Sequence, residues 1–208
     1  MHIYVYGSVC RGEVEPGSDI DLLAAVDGPD SRFDPVVYSV YPYARLRELW
    51  TEGNPFAWHL FIESRLIFAE DGVDFVRELG EPGPYMSWRA DSEKFNQLYV
   101  AASGVLAARR DTAVFELATM FLAIRNMAIC YSLMNRASPV FSRRACDRIG
   151  PDSIALDARS RKILDDARIL STRGFGARPS EDDVAHVLSN LPEINRWMGA
   201  LMAKVSVQ

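Results

Sequence analysis

Tyr6-Gly7-Ser8-Val9-Cys10-Arg11-Gly12, then Pro16-Gly17-Ser18-Asp19-Ile20-Asp21-Leu22-Leu23, is the stretch that decides the fold. Ten residues separate Gly7-Ser8 from Asp19-Ile20-Asp21. Ahead of it, His2 to Tyr6 is a short apolar strand that ends on a turn-forming glycine. Behind it, Ile20 and Leu22 to Val26 form a nearly unbroken apolar run, the pattern of a strand covered on both faces. The two strands read as a β-hairpin. On the second, Asp19 and Asp21 are two apart, so their side chains share a face.

Working outward, Asp27-Gly28-Pro29-Asp30-Ser31 is a dense turn signal, and Val36 to Tyr41 is a third strand rich in β-branched and aromatic residues. Pro42 opens a helix bearing Leu46, Leu49 and Trp50. Asn54-Pro55 pairs an N-cap with a first-turn proline for a second helix, carrying Phe56, Trp58, Leu60 and Phe61. Arg65 to Phe68 is a last strand. Glu81-Pro82-Gly83-Pro84 reads as a linker, and beyond it the apolar period becomes helical. Phe95, Leu98, Tyr99, Ala102, Val105 and Leu106 mark one helix; Phe115 to Tyr131 is apolar almost all round, as a central buried helix would be. Ser138-Pro139 and Asp157 are further helix starts, and residues 180–204 are one helix or two broken at Pro192. Ser171 to Arg178 reads as a loop whose two arginines could close over phosphate. The expected class is α+β: a small mixed sheet with flanking helices over residues 1–80, then an all-α bundle of four or five helices over 85–208.

Composition narrows the function classes. The chain has 208 residues, 49% hydrophobic and 25% charged, as an ordinary globular protein does. A net charge of −5 argues against a surface that grips nucleic-acid backbone, although a local basic pocket for RNA is not excluded. Arginines are spread along the chain, and only Lys94, Lys162 and Lys204 are lysines. Cys10, Cys130 and Cys146 form no CxxC pair, which suggests reduced thiols and a cytoplasmic setting. No apolar run approaches the ~20 residues of a membrane span, and no membrane partner is expected. His59 and His186 stand alone on apolar faces and read as packed side chains.

Two carboxylates side by side on a strand repel each other when both ionise, and a divalent cation removes that cost. Oxygen ligands of this type suit Mg²⁺. A Gly-Ser turn can bring backbone N–H groups and a hydroxyl against phosphate oxygens, because glycine permits close approach. Together they make a site for a metal–triphosphate complex.

These residues closely resemble the signature of the polymerase-β-like nucleotidyltransferase superfamily: Gly-Ser, ten residues, Asp-x-Asp. The order of parts is most similar to kanamycin-type enzymes and the minimal nucleotidyltransferases of toxin–antitoxin pairs. The resemblance implies transfer of a nucleoside monophosphate from an NTP such as ATP to a hydroxyl on a small molecule or protein, with release of pyrophosphate. It implies that Gly7 and Ser8 contact the β- and γ-phosphates and that Asp19 and Asp21 bind Mg²⁺. Ser18 would shape the hairpin, and Arg11 would reach phosphate or stand in solvent. A third carboxylate is usual in the superfamily, yet the third strand has no acid in its middle. Asp34 at its mouth is the first candidate and Glu63 the second. Without one, proton removal is poorly supported, so a nucleotide-binding or antitoxin-like module is the alternative, and an RNA-end nucleotidyltransferase a second. Relatives often carry a helix before the first strand; here the strand begins almost at Met1, so that edge would need covering by the bundle or by a second subunit, giving a protein partner or homodimer. Arg125 to Cys130 resembles the Arg-then-His ribonuclease motif of HEPN helical domains. Cys130 stands in the histidine's place, which implies a shared bundle shape and no nuclease. Arg125 would pair with an acid or face nucleotide.

Overall fold

The computed structural model describes residues 1–14, 20–135 and 139–207. Ser18 and Asp19 therefore lie outside the described residues, as does Ser138. The chain divides into two compact units, Met1–Met86 and Ser87–Gln208.

The first unit is built on a four-stranded mixed sheet of order β3-β2-β1-β4. Its strands are β1 (His2–Tyr6), β2 (Asp21–Val26), β3 (Tyr38–Pro42) and β4 (Ser64–Ala69). The hairpin expected from the sequence is present: β1 and β2 are antiparallel, with Tyr6 opposite Asp21 and His2 opposite Ala25. β3 runs parallel to β2, pairing Leu22 with Tyr38. Strand β1 is not an edge. β4 returns antiparallel on its other side, so the cover expected from a bundle or a second subunit is supplied by the unit's own last strand.

Alternation along the strands makes two cores. Tyr4, Tyr6, Leu23 and Ala25 point to one face and pack under α1 (Tyr43–Thr51) and α2 (Pro55–Glu63), against Leu46, Leu49, Trp50 and Leu60. Ala24 and Val26 point the other way and are covered by Phe33. Asn54 caps α2 as its sequence predicts, its side chain accepting from the Phe56 N–H at 2.9 Å. A short α3 (Phe75–Leu79) starts at Asp74, whose carboxylate accepts from Arg77 N–H.

The Pro-Gly segment is no loose linker. Trp50 Nε1 donates to Gly80 O at 2.8 Å, Trp58 Nε1 to Gly83 O at 3.1 Å, and Gly83 N to Trp50 O at 2.8 Å. Gly53, with φ +62°, makes that fit possible, since a Cβ there would stand 2.2 Å from Pro84 O.

The second unit is all-helical: α4 (Trp88–Ala108), α5 (Ala113–Asn135), α6 (Ala158–Arg173) and α7 (Glu181–Val207). α5 is the central helix, packed on α4 and α6, and α7 lies along α4. Buried side chains at its core include Tyr99, Leu106, Leu117, Met120, Met127 and Met198. α5 is in fact long and apolar enough to cross a membrane by length and composition, contrary to the run-length expectation. Most of that window is buried inside the unit, so its hydrophobicity is that of a core helix. Pro192 sits within α7 without dividing it. Asp157 caps α6, accepting from Arg159 and Ser160 N–H. Ser171 to Arg173 belong to α6, which stops at Gly174, so the expected loop starts three residues later. His186 is not a packed apolar side chain: its Nε2 lies 3.0 Å from Asp157 Oδ1. Arg125 reaches the Phe141 carbonyl at 3.1 Å and the Ser142 carbonyl at 3.4 Å, and Cys130 is buried.

Candidate functional site

Every described residue of the candidate site belongs to the first unit, and Gly7, Ser8, Arg11 and Asp21 lie where β1 ends or on the strand beside it. The strand runs out at Tyr6, and Gly7–Arg11 turn into a single 3-10 segment closed by Gly12. Glu13 N–H donates to Ser8 O at 2.9 Å and Gly12 N–H to Val9 O at 3.1 Å, which holds the turn tight. Gly7 is buried and has φ +78°, a conformation that L side chains rarely adopt.

Asp21 lies beside it. Antiparallel pairing places Asp21 opposite Tyr6, one residue before the glycine. A Cβ on Gly7 would stand 2.8 Å from Asp21 Oδ2. The missing side chain at Gly7 is thus the space that the Asp21 carboxylate occupies. Asp21 is exposed even though the strand behind it, from Leu23 to Val26, is buried. An exposed carboxylate oxygen beside a turn of small residues is a donor set that fits a hydrated divalent cation. Among the described residues no group of three His, Cys, Asp or Glu is placed to hold a metal, and Asp19 is not among them.

The face of the sheet that carries Asp21 also carries Tyr6 and Ser39, because Leu23 pairs with Ser39. Tyr6 and Ser39 hydroxyls are 3.0 Å apart. Burial pushes the Tyr6 phenol above its ordinary pKa; the bond to Ser39 opposes this, and the Asp21 charge adds to it. On β3 the position facing the site is therefore a serine hydroxyl engaged with a buried tyrosine. Asp34 is exposed, and its carboxylate accepts from Val36 N–H at 2.9 Å. Since β3 runs parallel to β2, its mouth lies at the Asp21 end of the sheet.

Glu63, the second candidate acid, is buried and already engaged. Its Oε2 accepts from Arg11 Nη1 and lies 2.9 Å from His59 Nε2. Arg11 also donates from Nε to Glu13 at 2.9 Å. Arg11 is thus not a solvated loop arginine but is clamped between two carboxylates under the Gly-Ser turn. His59 is likewise more than a packed ring: it meets Glu63 and sits edge-on to Tyr6, with centroids 5.5 Å apart. Sequence reading missed this brace. Its only sequence signal is the i,i+4 spacing of His59 and Glu63 on α2.

Residues 2–78 match the family model of the nucleotidyltransferase domain. The match falls within the first unit, whose mixed sheet and Gly-Ser turn are consistent with a nucleotidyltransferase of the polymerase-β-like kind. A comparison of the whole chain with curated proteins finds no match. The family match thus lies in the first unit and does not reach the helical one.

Proposed function

We propose that the chain transfers a nucleoside monophosphate from an NTP, ATP being the first choice, to a hydroxyl of a small molecule or protein. The observation that carries this reading is the Asp21 carboxylate filling the space above Gly7 at the end of β1, within a nucleotidyltransferase domain. Asp19 and Asp21 would hold Mg²⁺, which when bound neutralises charge on the α-phosphate and on the leaving pyrophosphate. Gly7 and Ser8 would bind the β- and γ-phosphates through N–H groups and the Ser8 hydroxyl, and Ser18 would shape the hairpin. Arg11, held by Glu13 and Glu63, supports the turn from below and keeps positive charge close to it. In the transfer, the acceptor oxygen bonds to the α-phosphorus, the α–β bridging P–O bond breaks, and pyrophosphate leaves. The hydroxyl proton would pass to Asp34 or to water.

A second reading is favoured by one observation. On the sheet face that carries Asp21, β3 contributes Ser39, which pairs with Leu23 and is bonded to Tyr6, and Glu63 is taken up by Arg11 and His59. A site with two acids and no base would bind nucleotide and turn over poorly.

One experiment separates the two. Wild type and Asp21→Asn are incubated with Mg²⁺ and each α-labelled NTP, with and without cell extract, and pyrophosphate and labelled acceptor are measured. Transfer is expected in the wild type, with the variant reduced about 10³-fold or more. Nucleotide binding with no label transferred to any acceptor would leave the binding module standing. Removing Asp34 (Asp34→Asn) then reports on the base: a proton-accepting role predicts a loss of about 10²-fold in turnover.

A further inference from the structure

Glu63 is an acid where helix chemistry does not favour one. It is the last residue of α2, at the end whose carbonyls carry partial negative charge, and only 7% of it is exposed. A carboxylate taken out of water there costs stability unless it is paired, and a buried pair seldom outdoes an apolar side chain of similar size. The charge at position 63 therefore calls for a reason other than packing.

Its contacts supply one. Glu63 Oε2 accepts from Arg11 Nη1, and the same guanidinium donates from Nε to Glu13 Oε2 at 2.9 Å. Arg11 closes the 3-10 segment that begins with Gly7 and Ser8. That segment has no side-chain cap at its start, and it is closed by the Glu13 N–H to Ser8 O and Gly12 N–H to Val9 O bonds. Hydrogen bonds in so short a 3-10 run have poor geometry, so the turn is weak unaided. Helix α2 is firm by contrast: Asn54 caps it, and Ala57 and Leu60 are fully buried. Glu63 thus ties a weak turn to a firm helix. One turn earlier on α2, His59 Nε2 lies 2.9 Å from Glu63 Oε2, and its ring meets Tyr6 edge-on. Tyr6 is the strand partner of Asp21. One helix therefore touches both halves of the site, the Gly-Ser turn through Glu63 and the Asp21 strand through His59 and Tyr6.

We propose that Glu63 is a positioning residue, which through Arg11 holds the Gly7-Ser8 turn against the Asp21 strand in the geometry a metal–triphosphate requires. The proposal rests on the transfer reading above and gives Glu63 a part in it other than metal ligand or base. Arginine suits the join, because its planar fork meets Glu13 and Glu63 through different nitrogens, whereas lysine offers a point charge. With Nε and Nη1 so engaged, Arg11 acts as the anchor of the turn.

The test compares wild type, Glu63→Gln, Glu63→Leu and Arg11→Lys as full chains, by two readouts. The first, without nucleotide, is amide exchange by NMR at Gly12 and Glu13, whose N–H groups close the turn. Exchange there should quicken about tenfold or more in Glu63→Leu and Arg11→Lys, the scale of one hydrogen bond to a charged group. Glu63→Gln keeps an oxygen for Arg11 and should stay nearer to wild type. Denaturation midpoints should move little, since leucine fills the buried space. The second readout adds Mg²⁺ and a non-hydrolysable ATP analogue, whose affinity should fall about tenfold in the same two variants. In turnover, Glu63→Gln should raise KM for the NTP and lower kcat less than tenfold, against the loss of about 10³-fold expected of Asp21→Asn. Should Glu63→Leu fail to fold, Arg11→Lys carries both readouts. Unchanged exchange at Gly12 and Glu13 would overturn the proposal, as would faster exchange with unaltered affinity for the analogue. So would a Glu63→Gln kcat as low as that of Asp21→Asn, which would make Glu63 the third carboxylate. A wild type that does not bind the analogue would overturn the transfer reading, and the exchange comparison, made without nucleotide, tells that failure from the other.

Discussion

The two ends of strand β1 carry polar residues to opposite purposes. At its start, His2 is buried and every ring nitrogen is used: Nδ1 lies 2.6 Å from the Tyr43 hydroxyl, and Nε2 lies 2.9 Å from Val73 O and 3.1 Å from Asp71. Tyr4 next to it donates its hydroxyl to Asp74 at 3.0 Å and accepts from Val76 N–H at 3.0 Å. At the strand's end, five residues on, the chain turns through a buried glycine with positive φ, and the Asp21 carboxylate stands exposed above it. One end closes its polar groups on each other and fastens the β4–α3 connection. The other sets a carboxylate on an exposed residue against a turn whose conformation only glycine holds easily. Polar groups satisfied internally stabilise a fold, whereas strained backbone tends to gather at functional sites.

The largest effect that would break this contrast is expected at Gly7. Gly7→Ala places a methyl where Asp21 Oδ2 now lies and imposes a positive φ on an L side chain. Turnover should fall about 10²-fold or more, because a displacement of about 1 Å at a reacting site suffices for that. The folding cost should be only about 1 kcal/mol. A variant that transfers normally would remove Asp21 and Gly7 from the site.

How much of this contrast could be read from the sequence follows from how local each part is. The Gly-Ser end is written in a short contiguous pattern, so Gly7, Ser8 and the Asp21 strand were recoverable from spacing and strand period alone. The hairpin, the Asn54 cap and the Asp157 cap are equally local, and all three are present. The His2 end is not local: its partners Tyr43, Asp71 and Val73 lie some forty to seventy residues away. The return of β4 beside β1 is equally remote, which is why β1 was expected to be an exposed edge. Arg11 read equally as a phosphate contact or a solvated loop arginine because Glu63, which holds it, is 52 residues distant.

A smaller effect of the opposite kind is expected at the His2 end. Tyr4→Phe removes the hydroxyl that accepts from Val76 N–H and donates to Asp74, leaving a buried donor unmet. Chemical denaturation should show a loss of about 1–3 kcal/mol, with transfer per folded molecule unchanged. Reduced turnover without reduced stability would show that the two ends are not separate in role.

The smallest effect sharpens the same contrast through pH. The Val73 N–H bond, opposed by desolvation and helped by His2, holds the Asp71 carboxyl below its ordinary value. A depressed carboxylate contributes stability above its unfolded pKa of about 3.9 and loses it as pH falls through the folded value. Wild type should therefore exceed Asp71→Asn in melting temperature at pH 7, and the gap should close below about pH 4. Asp71 is exposed, so a gap of a degree or two is the expectation. A gap that persists unchanged at pH 3 would mean that the carboxylate charge is not the source.

The most direct test of the central claim, that Asp21 and the Gly7-Ser8 turn together receive a metal–triphosphate, is paramagnetic. Mn²⁺ with a non-hydrolysable ATP analogue is titrated into ¹⁵N-labelled protein, and amide broadening is mapped along the chain. The Gly7, Ser8 and Asp21 resonances should vanish first in the wild type and survive in Asp21→Asn. Broadening that spares these three amides, or that is the same in both proteins, would contradict the account.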